Sequence, residues 1–189
     1  MSRRCVVSSV EMQLGVPQGS SVLDGWDRPV DYADCFRVSV DLEPECSVDA
    51  VTRATLTGFP RWARGLMWLR NRLVSPFGLR TGGGVPSTKQ TGLSGPFERD
   101  LRYEPGDRAV FFTVRQRSDD EIVMGEQDRH LDFRVSVRVA RRDEEGSNVE
   151  FTTVVHFNNL WGRLYFLPVK PFHRAIVCSL LARMARRAA

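Results

Sequence analysis

Two histidines and an aspartate have spacings that could support proton transfer. His130 and Asp132 lie two residues apart, and His156 belongs to the next run of alternating apolar residues. If a turn near residues 144–145 joins the two runs as paired strands, paired positions sum to about 288, which sets Asp132 opposite His156. A carboxylate at that distance raises the pKa of an imidazole and forms a general acid/base unit. The alternative is a solvated cross-strand pair on the polar side of the hairpin.

Other catalytic and metal-binding patterns are not found in the sequence. No serine lies in a G-x-S-x-G elbow, and His130, His156 and His173 lack the close spacing of metal ligands. The run Gly82-Gly83-Gly84 lacks the G-K-[ST] that completes a phosphate-binding loop. We therefore expect no metal site and no cofactor.

Alternating apolar residues predict the strands that position these side chains. Phe36, Val38 and Val40 alternate with polar residues and indicate a first, half-buried strand. Residues 131–139 and 149–157 alternate more strictly, which predicts a hairpin. These strands supply the frame for the histidines and the aspartate.

Helical patterns flank the strands on both sides. Ser47 is a good N-cap for a short helix after the first strand, and the apolar stripe in 62–73 predicts a second. Another apolar stripe in 176–184 predicts a C-terminal helix, whose start we expect Pro168 and Pro171 to interrupt. One strand, two short helices, about five antiparallel strands and a long helix predict an α+β fold, with a curved antiparallel sheet wrapped around the C-terminal helix.

Length and composition indicate one globular domain. The chain has 189 residues, of which 42% are hydrophobic, 26% charged and 10% aromatic, and this excludes a disordered tail or a fibre. Residues 1–33 are rich in Ser, Gly, Pro and Asp without a sustained period, and we predict that they form an extended lead-in. Residues 34–189 then form the single domain.

Six stretches of the chain carry a resemblance to a known family: Asp31–Asp34, Trp62–Gly78, Asp128–Arg134, His156–Asn159, Gly162–Tyr165 and Pro171–Arg174. Together they resemble a bacterial family, the domain of unknown function 2867 group. The element order is also similar to the helix-grip fold of the START-like and polyketide-cyclase-like (SRPBCC) superfamily. That resemblance implies a helix-grip domain without an established activity. Related domains occur behind a nucleotide-binding oxidoreductase domain, although no G-x-G-x-x-G marks one here.

The aromatic residues leave two readings of the interior open: they fill a core, or they line a cavity for a small molecule. The resemblance to helix-grip proteins favours a cavity for a hydrophobic ligand, and an acidic head group could meet Arg70. The first alternative is a cyclase-like or hydratase-like enzyme using His130, Asp132 and His156, and the second is an accessory domain that docks on an oxidoreductase. The predicted ligand-binding residues are Trp62, Leu66, Leu69, Arg70, Phe112, Phe133, Phe151, Phe157 and Tyr165.

Charge and cysteine usage bear on partners and location. Residues 161–189 carry six basic and no acidic residues, so the C-terminal helix could bind a membrane surface as an alternative to packing on the sheet. No run of about 18 apolar residues predicts a transmembrane segment, and no recognised module predicts nucleic-acid binding. Four cysteines without a C-x-x-C pair, and no leader-like N-terminus, favour a cytoplasmic protein with reduced thiols.

Overall fold

The elements follow the alternation of apolar residues along the chain. The computed structural model describes residues 10–43, 46–57, 62, 102–109, 112–141 and 146–188. Within these residues it contains seven strands and two helices of known extent. They are β1 (Glu11–Leu14), β2 (Tyr32–Val40), α1 (Val48–Leu56), β3 (Arg108–Ala109), β4 (Phe112–Arg117), β5 (Glu121–Gln127), β6 (Leu131–Arg141), β7 (Ser147–Phe157) and α2 (Leu160–Ala188).

The strands form one antiparallel sheet with the order β1-β2-β7-β6-β5-β4-β3. The long central hairpin, β6 and β7, therefore lies between β2 and β5. The predicted α+β class, with a curved antiparallel sheet and a long C-terminal helix, is confirmed. The first predicted strand begins at Tyr32, four residues before Phe36, and the additional strand β1 pairs with it at the edge of the sheet.

One face of the sheet packs against both helices. Strand alternation places Phe36, Val137 and Phe151 on this inner face, where each is at most 4% exposed. From α2, Leu181 and Met184 pack against the same cluster, and both are nearly fully buried. Apolar burial of this kind is the main favourable term in folding, so this layer holds the helices on the sheet.

The helix ends confirm one expectation and overturn another. The hydroxyl of Ser47 accepts a hydrogen bond from the backbone N–H of Ala50 at 3.3 Å and caps α1, as predicted. The predicted interruption at Pro168 and Pro171 is wrong, because α2 is helical from Leu160 to Ala188. Both prolines lie on the exposed side of α2, where water can bind the carbonyls that lose a backbone donor.

The opposite face of the sheet is covered by an N-terminal segment, residues 16–28, here called the strap. Val22 of the strap is fully buried against Val123 and Val154. Arg134 of β6 donates hydrogen bonds to the carbonyls of Val22, Asp24 and Gly25 at 3.1, 2.6 and 3.1 Å. The strap therefore covers part of the polar side of the hairpin.

Part of the predicted second helix lies outside the described residues. Trp62 is helical and 46% exposed, and the rest of the stripe in 62–73 lies outside the described residues.

Within the described residues, neither α1 nor α2 is both long enough and apolar enough to cross a membrane.

Candidate functional site

A fully buried carboxylate lies on the apolar inner face of the sheet. The alternation of β2 places Asp34 on the same side as Tyr32 and Phe36, and Asp34 is 0% exposed. An ionised carboxylate loses favourable hydration when it is buried, so it needs donors or cations within the protein. The side chains around it come from β2 itself, from the neighbouring strand β7 and from α2.

Three side chains surround Asp34, and with it they form what we call the interior polar cluster. The hydroxyl of Tyr32 donates a hydrogen bond to Oδ2 of Asp34. The Nε2 atom of His173, on α2, lies 3.3 Å from Oδ1 of Asp34. The same nitrogen lies 3.3 Å from the hydroxyl of Thr153, whose Cα is paired with that of Asp34 across β2 and β7.

Two cations from α2 border the cluster. Arg174 donates from Nε to the hydroxyl of Tyr32 at 3.4 Å, and Nζ of Lys170 lies 4.8 Å from the centre of the Tyr32 ring. Burial, and then the hydrogen bond to Asp34, raise the pKa of Tyr32 to about 12. At neutral pH Tyr32 is therefore protonated and remains a donor to the carboxylate.

Aromatic rings enclose the cluster, and its histidine reaches solvent. The ring of Phe166 lies 4.9 Å from that of Tyr32 and 5.3 Å from that of Phe157, between ring centroids. The edge-on ring pair of Phe36 and His173 has centroids 6.3 Å apart. The side chain of His173 is 18% exposed. Chemically, the site offers an acceptor, a donor and a titratable imidazole at one end of an apolar layer.

Sequence reasoning did not single out this cluster. Asp34 and His173 are 139 positions apart and share no local pattern. One signal was present: Asp34 has the parity of Phe36, Val38 and Val40, so it is a charged residue at a core position of the strand. The stretches Asp31–Asp34 and Pro171–Arg174, which carry part of the family resemblance, meet here.

The hairpin brings the predicted catalytic residues to the other face of the sheet. The register predicted for the hairpin is confirmed, since Asp132 is the Cα partner of His156. The carboxylate of Asp132, however, contacts Nε of Arg28 at 3.1 Å and accepts from the amide of Asn158 at 3.0 Å. Nδ1 of His156 lies 2.9 Å from Oδ2 of Asp31, a close contact without hydrogen-bond alignment.

His130 lies where α2 begins. Nδ1 of His130 is 3.4 Å from the side-chain amide of Asn159. The Oδ1 atom of Asn159 accepts from the backbone N–H of Gly162 at 3.0 Å, which caps the first turn of α2. These contacts join the turn between β5 and β6 to the first turn of α2, and His130 lies at this junction.

The predicted ligand-binding residues lie in several surroundings. The rings of Phe112 and Phe133 pack edge to face with centroids 5.7 Å apart. Phe151 is 4% exposed within the core, whereas Phe157 and Tyr165 are half-buried. Phe157 contacts Phe166, which in turn contacts Tyr32 of the interior polar cluster. Leu66, Leu69 and Arg70 lie outside the described residues.

These features define a class of protein before they define a family. A curved antiparallel sheet that holds a long C-terminal helix on its inner face is a helix-grip-like α+β architecture. Among the described residues, no group of three or more His, Cys, Asp or Glu side chains is arranged to hold a metal ion.

Residues 26–180 match the family model described as "Protein of unknown function (DUF2867)", and the chain belongs to that family. No curated protein and no solved structure matches the chain.

Proposed function

We propose that the chain binds a small, mainly hydrophobic molecule between the sheet and α2. The supporting observation is the interior polar cluster, in which the fully buried Asp34 meets the partly exposed His173. Burying a carboxylate carries a desolvation cost, so a role in recognition is a reason to keep one. Pockets for small molecules are typically apolar with a few convergent polar groups, which is the chemistry around Tyr32.

The cluster gives the ligand an orientation. Aromatic rings of Phe157 and Phe166 would contact an apolar body, while Asp34 and His173 would bind one hydrogen-bonding group. A carboxylate ligand would meet the charge of Asp34 first, so a hydroxyl, amide or amine suits the inner end. An acidic group suits the rim, where Arg174 and Lys170 lie beside Tyr32. The lining residues predicted from the sequence, Arg70 among them, remain part of this proposal.

Native mass spectrometry of the purified chain tests the proposal. We expect a bound molecule at near one per chain, which denaturation releases for identification. His173→Gln keeps a polar side chain and should lower its occupancy by about tenfold, the effect of losing one charge-assisted hydrogen bond. His130→Gln is the matched control and should leave occupancy unchanged. An empty wild-type chain, or equal occupancy in both variants, contradicts the proposal.

Proton transfer is the second candidate function, and the contact between Asp34 and His173 favours it. The contacts of His173 use Nε2, so Nδ1 is the nitrogen that could exchange a proton with a bound molecule. A cyclase-like or hydratase-like step at this cluster predicts that Asp34→Asn abolishes turnover of the released ligand while binding persists. The unit of His130, Asp132 and His156 remains a second prediction for the same chemistry, tested by the same assay on Asp132→Asn.

Two further parts of the proposal concern location and partners. A cytoplasmic location fits the thiol of Cys35, whose pKa burial raises to about 11, because such a thiol reacts slowly at neutral pH. An accessory role beside an oxidoreductase rests on the family resemblance alone. It predicts a stable complex with that enzyme and no ligand of its own, so the mass measurement also separates these alternatives.

A further inference from the structure

The first four turns of α2 expose large apolar side chains away from the sheet. Leu160, Leu164 and Leu167 repeat at i, i+4 and i+7, and they are 69%, 49% and 67% exposed. Trp161 and Phe172 flank them and are 62% and 46% exposed. We call these five residues the outer α2 face. A contiguous apolar surface of this kind usually marks an interaction site.

The outer α2 face lies opposite the side of α2 that packs on the sheet. Gly162 and Phe166 are buried one to four positions away from these exposed residues, on the other side of the helix. Among the described residues, the outer α2 face therefore takes no part in the core. Helices that are apolar on the solvent side as well have another surface to contact.

Charge indicates the chemistry of that surface. Residues 160–188 include six basic residues and no acidic one. One flank of the outer α2 face carries Arg163, Lys170 and Arg174. At the C-terminal end of α2, Arg186 and Arg187 are exposed. Arg163 contacts Asp31 at 3.3 Å, yet its side chain is still 63% exposed. An anionic partner would neutralise this field.

Two other occupants are disfavoured by the same charge argument. A second copy of α2 would bring six more cations to the contact. Residues 61–89 of the same chain carry six basic residues and no acidic one, so that segment has the same sign. Nucleic acid would neutralise the positive charge, but its phosphate backbone offers no apolar surface to bury the exposed leucines. A bilayer of anionic lipids satisfies both, because its interface accepts leucine and tryptophan and its headgroups attract arginine and lysine.

We propose that α2 lies on anionic lipid bilayers through the outer α2 face. The leucines enter the boundary between headgroups and acyl chains, Trp161 lies at headgroup level, and the basic flank contacts lipid phosphates. Binding is peripheral, since the opposite side of α2 stays packed on the sheet. The inference does not require the ligand proposed for the interior polar cluster, although Lys170 and Arg174 border both surfaces.

Vesicle flotation with the full chain tests this proposal. Vesicles of phosphatidylcholine are compared with vesicles of phosphatidylcholine and phosphatidylglycerol in a ratio of about seven to three. We expect binding to the anionic vesicles only, and weaker binding as salt rises. Leu164→Glu combined with Leu167→Glu should lower vesicle affinity roughly tenfold or more, because two buried leucines are lost and two charges enter the interface.

The control variant places a single glutamate on an exposed leucine outside the outer α2 face. Leu14, on the edge strand β1, is 70% exposed, and Leu14→Glu should leave vesicle binding unchanged. Circular dichroism of each variant should match the wild type, because all three positions are exposed. The proposal is overturned if the wild type ignores anionic vesicles or if the double variant binds as well as Leu14→Glu. It is equally overturned if the wild type is a dimer that the double variant converts to a monomer. Binding of the wild type to duplex DNA but not to anionic vesicles would overturn it as well.

Discussion

Three of the four carboxylates that are buried among the described residues differ in what surrounds them, and this difference is the argument for the candidate site. Glu121 accepts from the hydroxyls of Ser20 and Ser21 at 2.6 and 2.8 Å, and so fixes the strap. Asp132 is similarly satisfied by Arg28 and Asn158. Both bind groups that hold one chain segment to another.

Asp34 differs because its partners connect the two elements that enclose the inner layer. Tyr32 lies on β2 and His173 lies on α2. A cluster of coupled ionisable groups in an apolar layer is what binding and proton-transfer sites require. This contrast is the reason for placing the candidate site inside the sheet rather than on the hairpin.

Tyr32→Phe tests the cluster at the residue scale. At neutral pH the variant should be about 1–3 kcal/mol less stable, because the carboxylate of Asp34 loses a donor in a buried site. The pKa of Tyr32 rises from 10.0 to about 12 on folding, so the folded state binds this proton more tightly. The tyrosine's contribution is therefore full below pH 10 and is lost as pH rises toward 12.

The measurement is urea unfolding of the wild type and Tyr32→Phe from pH 7 to pH 12. Other groups titrate in both proteins, so the informative quantity is the difference between their free energies of unfolding. That difference should shrink above pH 10. A difference that is constant across this range would show that Tyr32 does not titrate with the shift derived from its burial.

At the scale of elements, local pattern predicted pairing and missed long-range contacts. Strict alternation in 131–139 and 149–157 showed which residues of each strand share a face. The position of the turn then fixed which residues pair, so the pairing of Asp132 with His156 could be derived from the sequence. The continuity of α2 through Pro168 and Pro171 could not be derived from the sequence, because it depends on which side of the helix faces solvent. That side is decided by packing against strands far away in the sequence.

The junction of the hairpin with α2 depends on one glycine. A Cβ atom on Gly162 would lie 2.0 Å from the carbonyl oxygen of His130, a backbone atom that cannot move aside alone. We expect Gly162→Ala to lower the free energy of unfolding by about 1–3 kcal/mol, the usual cost of overpacking. In an isolated helix the same change is stabilising by about 1 kcal/mol, so the sign is diagnostic.

Leu160→Ala is the matched control for Gly162→Ala. It places alanine in the same turn, at a side chain that is 69% exposed, and should change stability by less than about 0.5 kcal/mol. Chemical denaturation of the two variants gives both values. A stabilising Gly162→Ala would mean that α2 begins farther from His130 than the structure places it.

At the scale of the whole molecule, the sheet is covered on both faces. The helices α1 and α2 cover the inner face, and the strap covers part of the outer face through Val22, Arg134 and Arg138. The sequence gives little warning of this outer layer. Val22 is one of four apolar residues scattered among polar residues, Gly and Pro in the strap. No periodic pattern in the sequence assigns it to a core.

Whether the strap folds together with the sheet is a question of cooperativity. Val22 is 0% exposed and packs against Val123 and Val154, which lie on two different strands, while its neighbour Leu23 is 37% exposed. Val22→Ala should therefore lower the global free energy of unfolding by about 1–3 kcal/mol, and Leu23→Ala by less than about 0.5 kcal/mol. Far-ultraviolet circular dichroism reports the sheet and helices. Fluorescence of the wild type minus that of Trp26→Phe reports the strap, since Trp26 belongs to it.

If the strap and the sheet are one cooperative unit, both probes should give the same midpoint, and Val22→Ala should move the two midpoints together. A lead-in that only rests on the domain would behave otherwise: the Trp26 signal would change first, and the midpoint from circular dichroism would not respond to Val22→Ala. The buried contacts of Val22 and the three carbonyls held by Arg134 favour the first outcome. Stability of the sheet then depends on residues that precede its first long strand.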